Sequence, residues 1–281
     1  MTAWMLIDSA PAQVEIMLET NSLFGSHYGS SAAPALARQA WQKGPASPVL
    51  WPNEIHVWRV RLDIPWSNEY DRALSADDRE RAMRFRFEGD RHRFSMARAT
   101  LRKILGRYLK SNPADLRFEL GAYGKPGLAE GQNTLDLRFN LSHSHQQALI
   151  AVARGREVGV DVEFMRADFA SDEVATHFFS PAEVKQFVRL PAAVRTRSFF
   201  NCWTRKEAYI KARGEGLSHP LDQFDVSFQP GVPAALLESR RDPTEVSRWS
   251  FEDLSPHPAY AAALTVEGDF SRLLLWDFVA A

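Results

Sequence analysis

The order of predicted elements constrains the fold most strongly, because a block of strand, helix and strand occurs twice. In the first block, "EIHVWRVRL" at 54–62 alternates apolar and polar residues, as a half-buried strand does. Apolar residues three and four apart predict a long helix over about 90–110. Strands predicted at 136–142 and 147–153 complete this block.

The second block begins with a predicted strand at 157–164. "SPAEVKQF" then places Ser180 as the N-cap and Glu183 three residues later, which is the capping-box signal of a helix start. A longer helix is predicted over about 195–213. The segments "FDVSF", "RWSFEDL", "YAAALTV" and "LLLWDF" predict strands of a second sheet.

The two blocks predict an α+β fold with two similar halves, arranged as a pseudo-dimer. Residues 1–50 show no sustained hydrophobic period and predict a partly ordered N-terminal extension. The first half spans 51–155 and the second 156–281. Each is expected to pack a small, mainly antiparallel sheet on a long helix.

Charge and composition exclude several classes of protein. The chain of 281 residues carries 34 Lys and Arg against 35 Asp and Glu, so no overall field favours nucleic acid or a membrane surface. A local basic stretch at 79–110 suits an anionic small ligand or an acidic partner better. Cys202 is the only cysteine, which excludes an intramolecular disulfide. Without a membrane-length apolar run or a signal-peptide pattern, the expected location is the cytoplasm.

The strand "GVDVE" at 159–163 carries the first candidate site. Residues two apart on a strand share a face, so Val160 and Val162 should face the core while Asp161 and Glu163 share the other face. Taken alone, the carboxylates fit a solvated strand face. If they are sheltered, one must take up a proton or a cation must lie between them, and Mg²⁺ is the suitable ion.

The helix segment "FFNCWTRKEAYIKARGEG" carries the second candidate site. Trp203, Glu207 and Lys211 are four apart and share a helix face. Alone, Glu207 and Lys211 fit an ordinary helix ion pair. Together with the strand carboxylates, Glu207 could supply a third oxygen ligand or act as a base, and Lys211 could balance phosphate charge.

Two loop-like segments add possible phosphate contacts. In "FNLSHSH", Ser142 and His143 point to opposite strand faces, which argues against a hydrolytic dyad and leaves phosphate contact or a structural role. In "YGKPG", glycine and proline predict a rigid turn with Lys125 projecting outward. The sequence contains no nucleophile elbow, dinucleotide-binding fingerprint, P-loop or zinc spacing.

In order and content, "GKP", "FNLSHS", "GVDVE" and "WTRKEAYIKARGEGL" resemble the motif series of Sfp-type 4′-phosphopantetheinyl transferases. The tryptophan and KEA pattern is similar to one subgroup of that family. The basic segment "RERAMRFRFEGDRHRFSMARATLRKIL" is similar to the family's N-terminal half. The resemblance covers roughly residues 54–265. His145 departs from it, since many members have glycine or a small polar residue there.

The resemblance implies transfer of the phosphopantetheine arm of coenzyme A to a serine of an apo acyl or peptidyl carrier protein, with release of 3′,5′-ADP. It implies carriers of fatty-acid, polyketide or nonribosomal peptide synthesis, a monomeric enzyme, and an active site between the two halves. The implied Mg²⁺ ligands are Asp161, Glu163 and Glu207. The implied catalytic residues are these three and Lys211, with Glu207 as the first candidate for the base.

The resemblance also implies a set of coenzyme A contacts: Arg81, Tyr123, Gly124, Lys125, Pro126, Asn140, Ser142, His143, Lys206 and Lys211. Two alternatives remain at this point. One is a catalytically silent module that binds carrier proteins on the same fold. The other is a different Mg²⁺-dependent enzyme that handles nucleotides, although no further motif in the sequence supports it.

Overall fold

The computed structural model describes residues 40–279, apart from the side chain of Leu217. Most of the predicted N-terminal extension, residues 1–39, lies outside this range. The helices are α1 (Asn68–Ala73), α2 (Ala76–Ala82), α3 (Glu88–Leu109), α4 (Asp172–Phe178), α5 (Pro181–Phe187), α6 (Ala192–Arg213) and α7 (Glu245–Arg248). The strands are β1 (Gln42–Lys43), β2 (Glu54–Arg61), β3 (Phe118–Leu120), β4 (Pro126–Leu128), β5 (Leu137–Ser144), β6 (Gln147–Arg154), β7 (Val158–Phe164), β8 (Phe224–Val226), β9 (Leu236–Ser239), β10 (Trp249–Asp253), β11 (Tyr260–Glu267) and β12 (Arg272–Asp277). Within the described range, no helix combines the length and apolar character needed to cross a membrane.

The capping box predicted at Ser180 is confirmed, and Ser75 forms a second one. Ser75 Oγ accepts a hydrogen bond from the backbone N–H of Asp78 at the start of α2, and Ser180 does the same for Glu183 at the start of α5. Helix α6 ends where Gly214 adopts a φ of 74°, a conformation that glycine takes without the steric cost of a Cβ.

The strands form two principal sheets. The larger has the order β1-β12-β2-β6-β5, in which β12 runs parallel to both of its neighbours and the other pairs are antiparallel. The smaller sheet is antiparallel, with the order β10-β11-β7. Strands β5 and β7 are therefore each at the edge of a sheet, with one side unpaired by a neighbouring strand.

Three apolar clusters give the molecule its layers. One lies between helix α3 and one face of the larger sheet, with Leu101 and Trp58 among its residues. The second fills the space between the two sheets, with Val57, Val160 and Val162 among its residues. The third lies along helix α6, on the other side of the smaller sheet. The order of layers is thus helix, sheet, sheet and helix.

This arrangement is a mixed α/β fold, as predicted, but two strand assignments are wrong. "LLLWDF", predicted in the second sheet, forms β12 of the larger sheet beside β2. "FDVSF" contributes β8, which pairs with β9 in a separate ribbon. The larger sheet is consequently mixed rather than mainly antiparallel. Local alternation predicts that a segment is a strand, but it carries no information about which distant strand will pair with it. The division at 155 and the pseudo-dimer remain predictions.

Candidate active site

The site begins where the two edge strands run side by side. Asn140 Oδ1 on β5 accepts a hydrogen bond of 2.8 Å from the backbone N–H of Val160 on β7. Ser144 Oγ accepts one of 3.1 Å from the N–H of Phe164. Both residue numbers rise together, so the strands are parallel here. Side chains of β5 thus accept hydrogen bonds from β7 that the backbone of a neighbouring strand would otherwise accept.

The predicted facing of "GVDVE" is confirmed. Val160 and Val162 are buried between the sheets, and Asp161 and Glu163 lie on the opposite face. Ser142 Oγ donates a 2.7 Å hydrogen bond to Asp161 Oδ1, and Ser144 Oγ donates one of 2.7 Å to Glu163 Oε2. Asp161 is only 1% exposed, so the solvated-face alternative does not hold for it.

Gly159 brings helix α6 against this strand. A Cβ on Gly159 would lie 2.1 Å from the carbonyl oxygen of Ala208 and 2.4 Å from the backbone nitrogen of Ala212. Only a residue without a side chain permits such a close approach of helix and strand. The glycine therefore sets the distance between Asp161 and the helix residues that follow Ala208.

Lys211 reaches Asp161 across this close contact. Its Nζ lies 2.6 Å from Asp161 Oδ1 and 3.1 Å from Ser142 Oγ. Burial would lower the pKa of Lys211, but the charges of Asp161 and Glu207 outweigh it and raise that pKa. Lys211 therefore pairs with the strand carboxylate rather than forming the helix ion pair that spacing alone suggested.

The other two carboxyl groups are held at elevated pKa values. Burial and the negative charge of Asp161 raise the pKa of Glu163 to about 8. Burial raises the pKa of Glu207 to about 7, against the opposing influence of Lys211. Three acidic groups thus share one ammonium group, and the cluster resists carrying its full negative charge.

A hard cation fits this donor set. Asp161 Oδ2 is buried and has no hydrogen-bond partner in the described part of the chain, so one carboxylate oxygen is left over. The excess of carboxylates over cationic groups would be relieved by a divalent ion with oxygen ligands. Within residues 40–279, no three His, Cys, Asp or Glu side chains already form a group able to hold a metal ion. A bound cation would consequently need further oxygens from water or substrate phosphate.

The predicted ligand contact at Lys206 is corrected. Lys206 has no exposed surface, and its Nζ donates to the carbonyl oxygens of Leu221 and Phe224 at 2.7 and 2.6 Å. It also lies 2.7 Å from Glu183 Oε2. The ammonium group therefore joins α5, α6 and β8 inside the protein and is not positioned to meet coenzyme A.

Lys125 also turns inward, whereas the sequence predicted that it projects outward. Its Nζ lies 2.7 Å from Glu157 Oε2 and donates to the carbonyl oxygens of Val158 and Ala212 at 3.1 and 2.9 Å. Lys125 thus fastens the turn at 121–126 to the start of β7 and the end of α6. Tyr123 is 47% exposed in the same turn, so that part of the loop is open to solvent.

The basic stretch at 79–110 is partly neutralised within the protein. Buried Asp78 accepts hydrogen bonds from Arg98 and Arg102. Burial alone would raise the pKa of Asp78, but the charges of these two guanidinium groups lower it. Arg84 pairs with Glu80 at 2.6 Å. The stretch therefore offers an anionic ligand less positive charge than its composition suggests.

Arg81 and His143 remain candidates for ligand contact. The guanidinium carbon of Arg81 lies 5.4 Å from the ring centroid of Phe94 on α3. His143 follows Leu141 by two residues on β5, and Leu141 packs against the cluster shared with α3. By strand alternation, His143 faces the helix side while Ser142 faces Asp161, which confirms that the two residues form no dyad.

Sequence reasoning missed the roles of Ser144 and Gly159. The spacing of Asn140, Ser142 and Ser144, two apart on one strand, would have placed all three on the face toward β7. Gly159 gave no local signal, because its role depends on a helix about 50 residues away. His145 adopts a φ of 54°, a conformation that favours glycine.

Comparisons with known proteins identify the family of this chain. Residues 157–265 match the model of the 4′-phosphopantetheinyl transferase superfamily, and residues 64–155 match that of the 4′-phosphopantetheinyl transferase N-terminal region. The 4′-phosphopantetheinyl transferase HetI of Nostoc sp. is 37% identical over 245 residues, covering 86% of this chain and 100% of the relative. Sfp of Bacillus subtilis, also a 4′-phosphopantetheinyl transferase, is 29% identical and covers 75% of this chain and 91% of its own. A phosphopantetheinyl transferase of Thraustochytrium sp. is 29% identical over 90% of this chain and 93% of its own. The chain belongs to the family of 4′-phosphopantetheinyl transferases.

Proposed function

We propose that this transferase moves the 4′-phosphopantetheine arm of coenzyme A to a serine hydroxyl of an apo carrier protein, with Mg²⁺ bound and 3′,5′-ADP released. The observation that carries the proposal is the buried contact of Asp161 with Ser142 and Lys211, beside Glu163 and Glu207. The carboxylate oxygens suit a divalent cation, and the ammonium group beside them suits the pyrophosphate that the cation accompanies.

Mg²⁺ would be held by oxygens of Asp161, Glu163 and Glu207, with water and substrate phosphate completing its shell. Bound there, it would neutralise the negative charge of the pyrophosphate. The orphaned Asp161 Oδ2 supports the choice of a cation that takes oxygen ligands. Lys211 and Ser142 both bond the other oxygen of Asp161, Oδ1.

In the transfer step, the serine oxygen of the carrier would bond to the phosphorus that bears the pantetheine arm. The bridging P–O bond would break, and 3′,5′-ADP would leave with the bridging oxygen. Glu207 would accept the serine proton, and a pKa raised to about 7 suits a base that works near neutral pH. Lys211 would balance charge on the departing phosphate.

The other end of coenzyme A would lie toward the helix side of β5. There His143 and Arg81 would meet the 3′-phosphate, and the exposed Tyr123 of the turn at 121–126 would border the adenine. If so, His143→Ala should raise the KM for coenzyme A while leaving the KM for 3′-dephospho-coenzyme A unchanged. An equal increase for both substrates would remove His143 from the 3′-phosphate contact.

The reaction is tested by incubating the full chain with coenzyme A, Mg²⁺ and several apo carrier proteins, then weighing each carrier by mass spectrometry. We expect one phosphopantetheine adduct on carriers of fatty-acid, polyketide or nonribosomal peptide synthesis, and its loss with EDTA or in Glu207→Gln. Carrier binding without an adduct would favour the silent binding module. Hydrolysis of coenzyme A without carrier modification would favour a different nucleotide-handling enzyme.

We also propose that the enzyme is a cytoplasmic monomer. Ser142, Asp161 and Lys211 come from one chain, so the cluster needs no second copy. Cys202 is a buried free thiol, which fits a reducing compartment. Sedimentation equilibrium at micromolar concentration should give the mass of one chain, and a dimer mass would contradict the monomer.

A further inference from the structure

We infer that Asn140 and Ser144 are positioning residues, which fix the edge of β7 and thereby aim the carboxylates of Asp161 and Glu163. This inference rests on the proposed function for its catalytic meaning, although the contacts themselves are independent of it. With Ser142, these residues form a side-chain ladder on β5, defined as Asn140, Ser142 and Ser144. The resemblance implied instead that Asn140 contacts coenzyme A.

The ladder replaces a missing strand partner. The edge of β7 that faces β5 has no backbone pairing with it, since β5 belongs to the other sheet. An edge strand presents unpaired N–H groups, and sheltered ones need an acceptor. Asn140 Oδ1 supplies the acceptor for Val160, and Ser144 Oγ supplies it for Phe164. Asn140 is 1% exposed, and its Oδ1 is the atom engaged with β7, whereas its Nδ2 has no hydrogen-bond partner in the described part of the chain.

Ser144 connects strand position to carboxylate orientation. Its Oγ accepts from the N–H of Phe164 at 3.1 Å and donates to Glu163 Oε2 at 2.7 Å. One hydroxyl therefore fixes both the backbone after Glu163 and the direction of its carboxyl group. Ser142 acts likewise on Asp161 by occupying Oδ1, which leaves Oδ2 as the unbonded oxygen.

The residues of the motif "FNLSHS" point alternately to the two faces of β5. Even-numbered residues meet β7 and position the acidic groups, whereas His143 faces the helix side, where the proposed 3′-phosphate contact lies. The two faces predict different kinetic defects. A positioning residue should affect kcat and cation binding, while a coenzyme A contact should affect KM for coenzyme A.

The first experiment measures the ladder directly, by amide hydrogen exchange in the metal-free full chain. Ser144→Ala should make the Phe164 amide exchange several-fold faster, because its acceptor is removed. Ser144→Thr, which keeps a hydroxyl, should retain slow exchange. Ser111→Ala is the matched control, since Ser111 Oγ donates to the local Leu109 carbonyl on the exposed surface. Unchanged exchange in Ser144→Ala would overturn the ladder.

The second experiment measures how the side-chain ladder affects cation binding and catalysis. Mn²⁺ replaces Mg²⁺ as a paramagnetic probe, and its affinity in the presence of coenzyme A is followed by electron paramagnetic resonance without any carrier. Ser144→Ala should lower Mn²⁺ affinity and kcat by roughly 10–100-fold, as loss of a group that orients a ligand does, with the KM for coenzyme A within about two-fold of wild type. Ser144→Thr should recover both.

A raised KM for coenzyme A in Ser144→Ala, with Mn²⁺ affinity unchanged, would overturn the positioning role and make Ser144 a substrate contact. Failure of the proposed function looks different. In that case the wild-type chain itself would transfer no pantetheine arm or bind no Mn²⁺, while the exchange rate at Phe164 would still decide whether the ladder exists.

Discussion

At the residue scale, Asp161 is the charge on which the cluster depends. Asp161→Ala would leave the Lys211 ammonium buried without its partner, which typically costs about 3–5 kcal/mol of stability. Asp161→Asn keeps the shape and an acceptor oxygen, so we expect a smaller loss. Both variants should lose transfer activity, because neither has the carboxylate. Denaturant unfolding and the mass-spectrometric assay measure the two effects separately.

Asp63→Asn is the control for Asp161, because Asp63 pairs with Arg61 at the exposed surface, where solvent screens the interaction. It should unfold and react as wild type does. An unfolding free energy of Asp161→Ala equal to that of wild type would show that the stability of buried Lys211 does not depend on the Asp161 charge. Full activity in either Asp161 variant would remove Asp161 from the proposed ligands.

The pKa of Glu163 predicts a dependence of stability on pH. Burial and the Asp161 charge raise it from 4.5 to about 8, so the folded state holds a proton that the unfolded state releases at lower pH. Stability from this group is complete below pH 4.5 and is lost as the pH rises to about 8. Thermal melts in EDTA should therefore lose more stability between pH 6 and pH 9 in wild type than in Glu163→Gln.

Added Mg²⁺ should reduce the difference between wild type and Glu163→Gln at the alkaline end, because a cation stabilises the ionised carboxylates. Identical pH dependence in the two proteins without metal would contradict the raised pKa. A difference that Mg²⁺ leaves unchanged would contradict cation binding at Glu163 but not the burial of its carboxyl group.

At the element scale, the contact between β7 and α6 depends on Gly159. Gly159→Ala would place a Cβ 2.1 Å from the Ala208 carbonyl, and backbone on both sides cannot yield as a flexible side chain does. Such overpacking typically costs about 1–3 kcal/mol. The displaced helix would carry Glu207 and Lys211 away from Asp161, so we expect kcat to fall by at least about ten-fold, since roughly 1.4 kcal/mol in the barrier suffices.

Gly127→Ala is the matched control, because an added Cβ there would meet no atom within 4 Å. It should keep wild-type stability and kcat in the same denaturation and transfer assays. Wild-type kcat in Gly159→Ala would show that the position of α6 is not critical for the reaction.

The sequence predicted those elements whose signals are local. Alternation predicted β2 and β7, and the capping residue Ser180 predicted where a helix starts. Lys206 and Lys125 were misassigned for the opposite reason, since a lysine in a motif looks the same whether its ammonium meets a ligand or buried carbonyl oxygens. What holds Lys206 inside is Glu183 and two carbonyls from segments distant in sequence, and no local pattern reveals them.

At the scale of the whole molecule, the two sequence halves are joined more closely than a division at residue 155 suggests. The acidic cluster takes Ser142 from the first half and Asp161 and Lys211 from the second. The larger sheet in turn takes β12 from the end of the chain and places it between β1 and β2. Each half therefore supplies part of the structure on which the other depends.

Because β12 comes from the end of the chain and pairs with β2, its removal should disturb the first sequence half. In a chain that ends at Phe270, Trp58 would lose Trp276, whose ring centroid lies 4.7 Å away, and β2 would become an exposed edge. Arg59 would also lose Asp277, its partner at 2.7 Å. We expect red-shifted tryptophan fluorescence and rapid proteolysis within 54–154, although these residues are all still present.

A chain that ends at Val279 is the control for this truncation, since it retains β12, and it should keep wild-type fluorescence and protease resistance. Transfer activity should fail in the shorter chain even though it retains Asp161, Glu163, Glu207 and Lys211, because Ser142 belongs to the sheet that loses its support. Wild-type protease resistance of residues 54–154 in the shorter chain would instead show that the first sequence half folds without β12, as the division at 155 predicts.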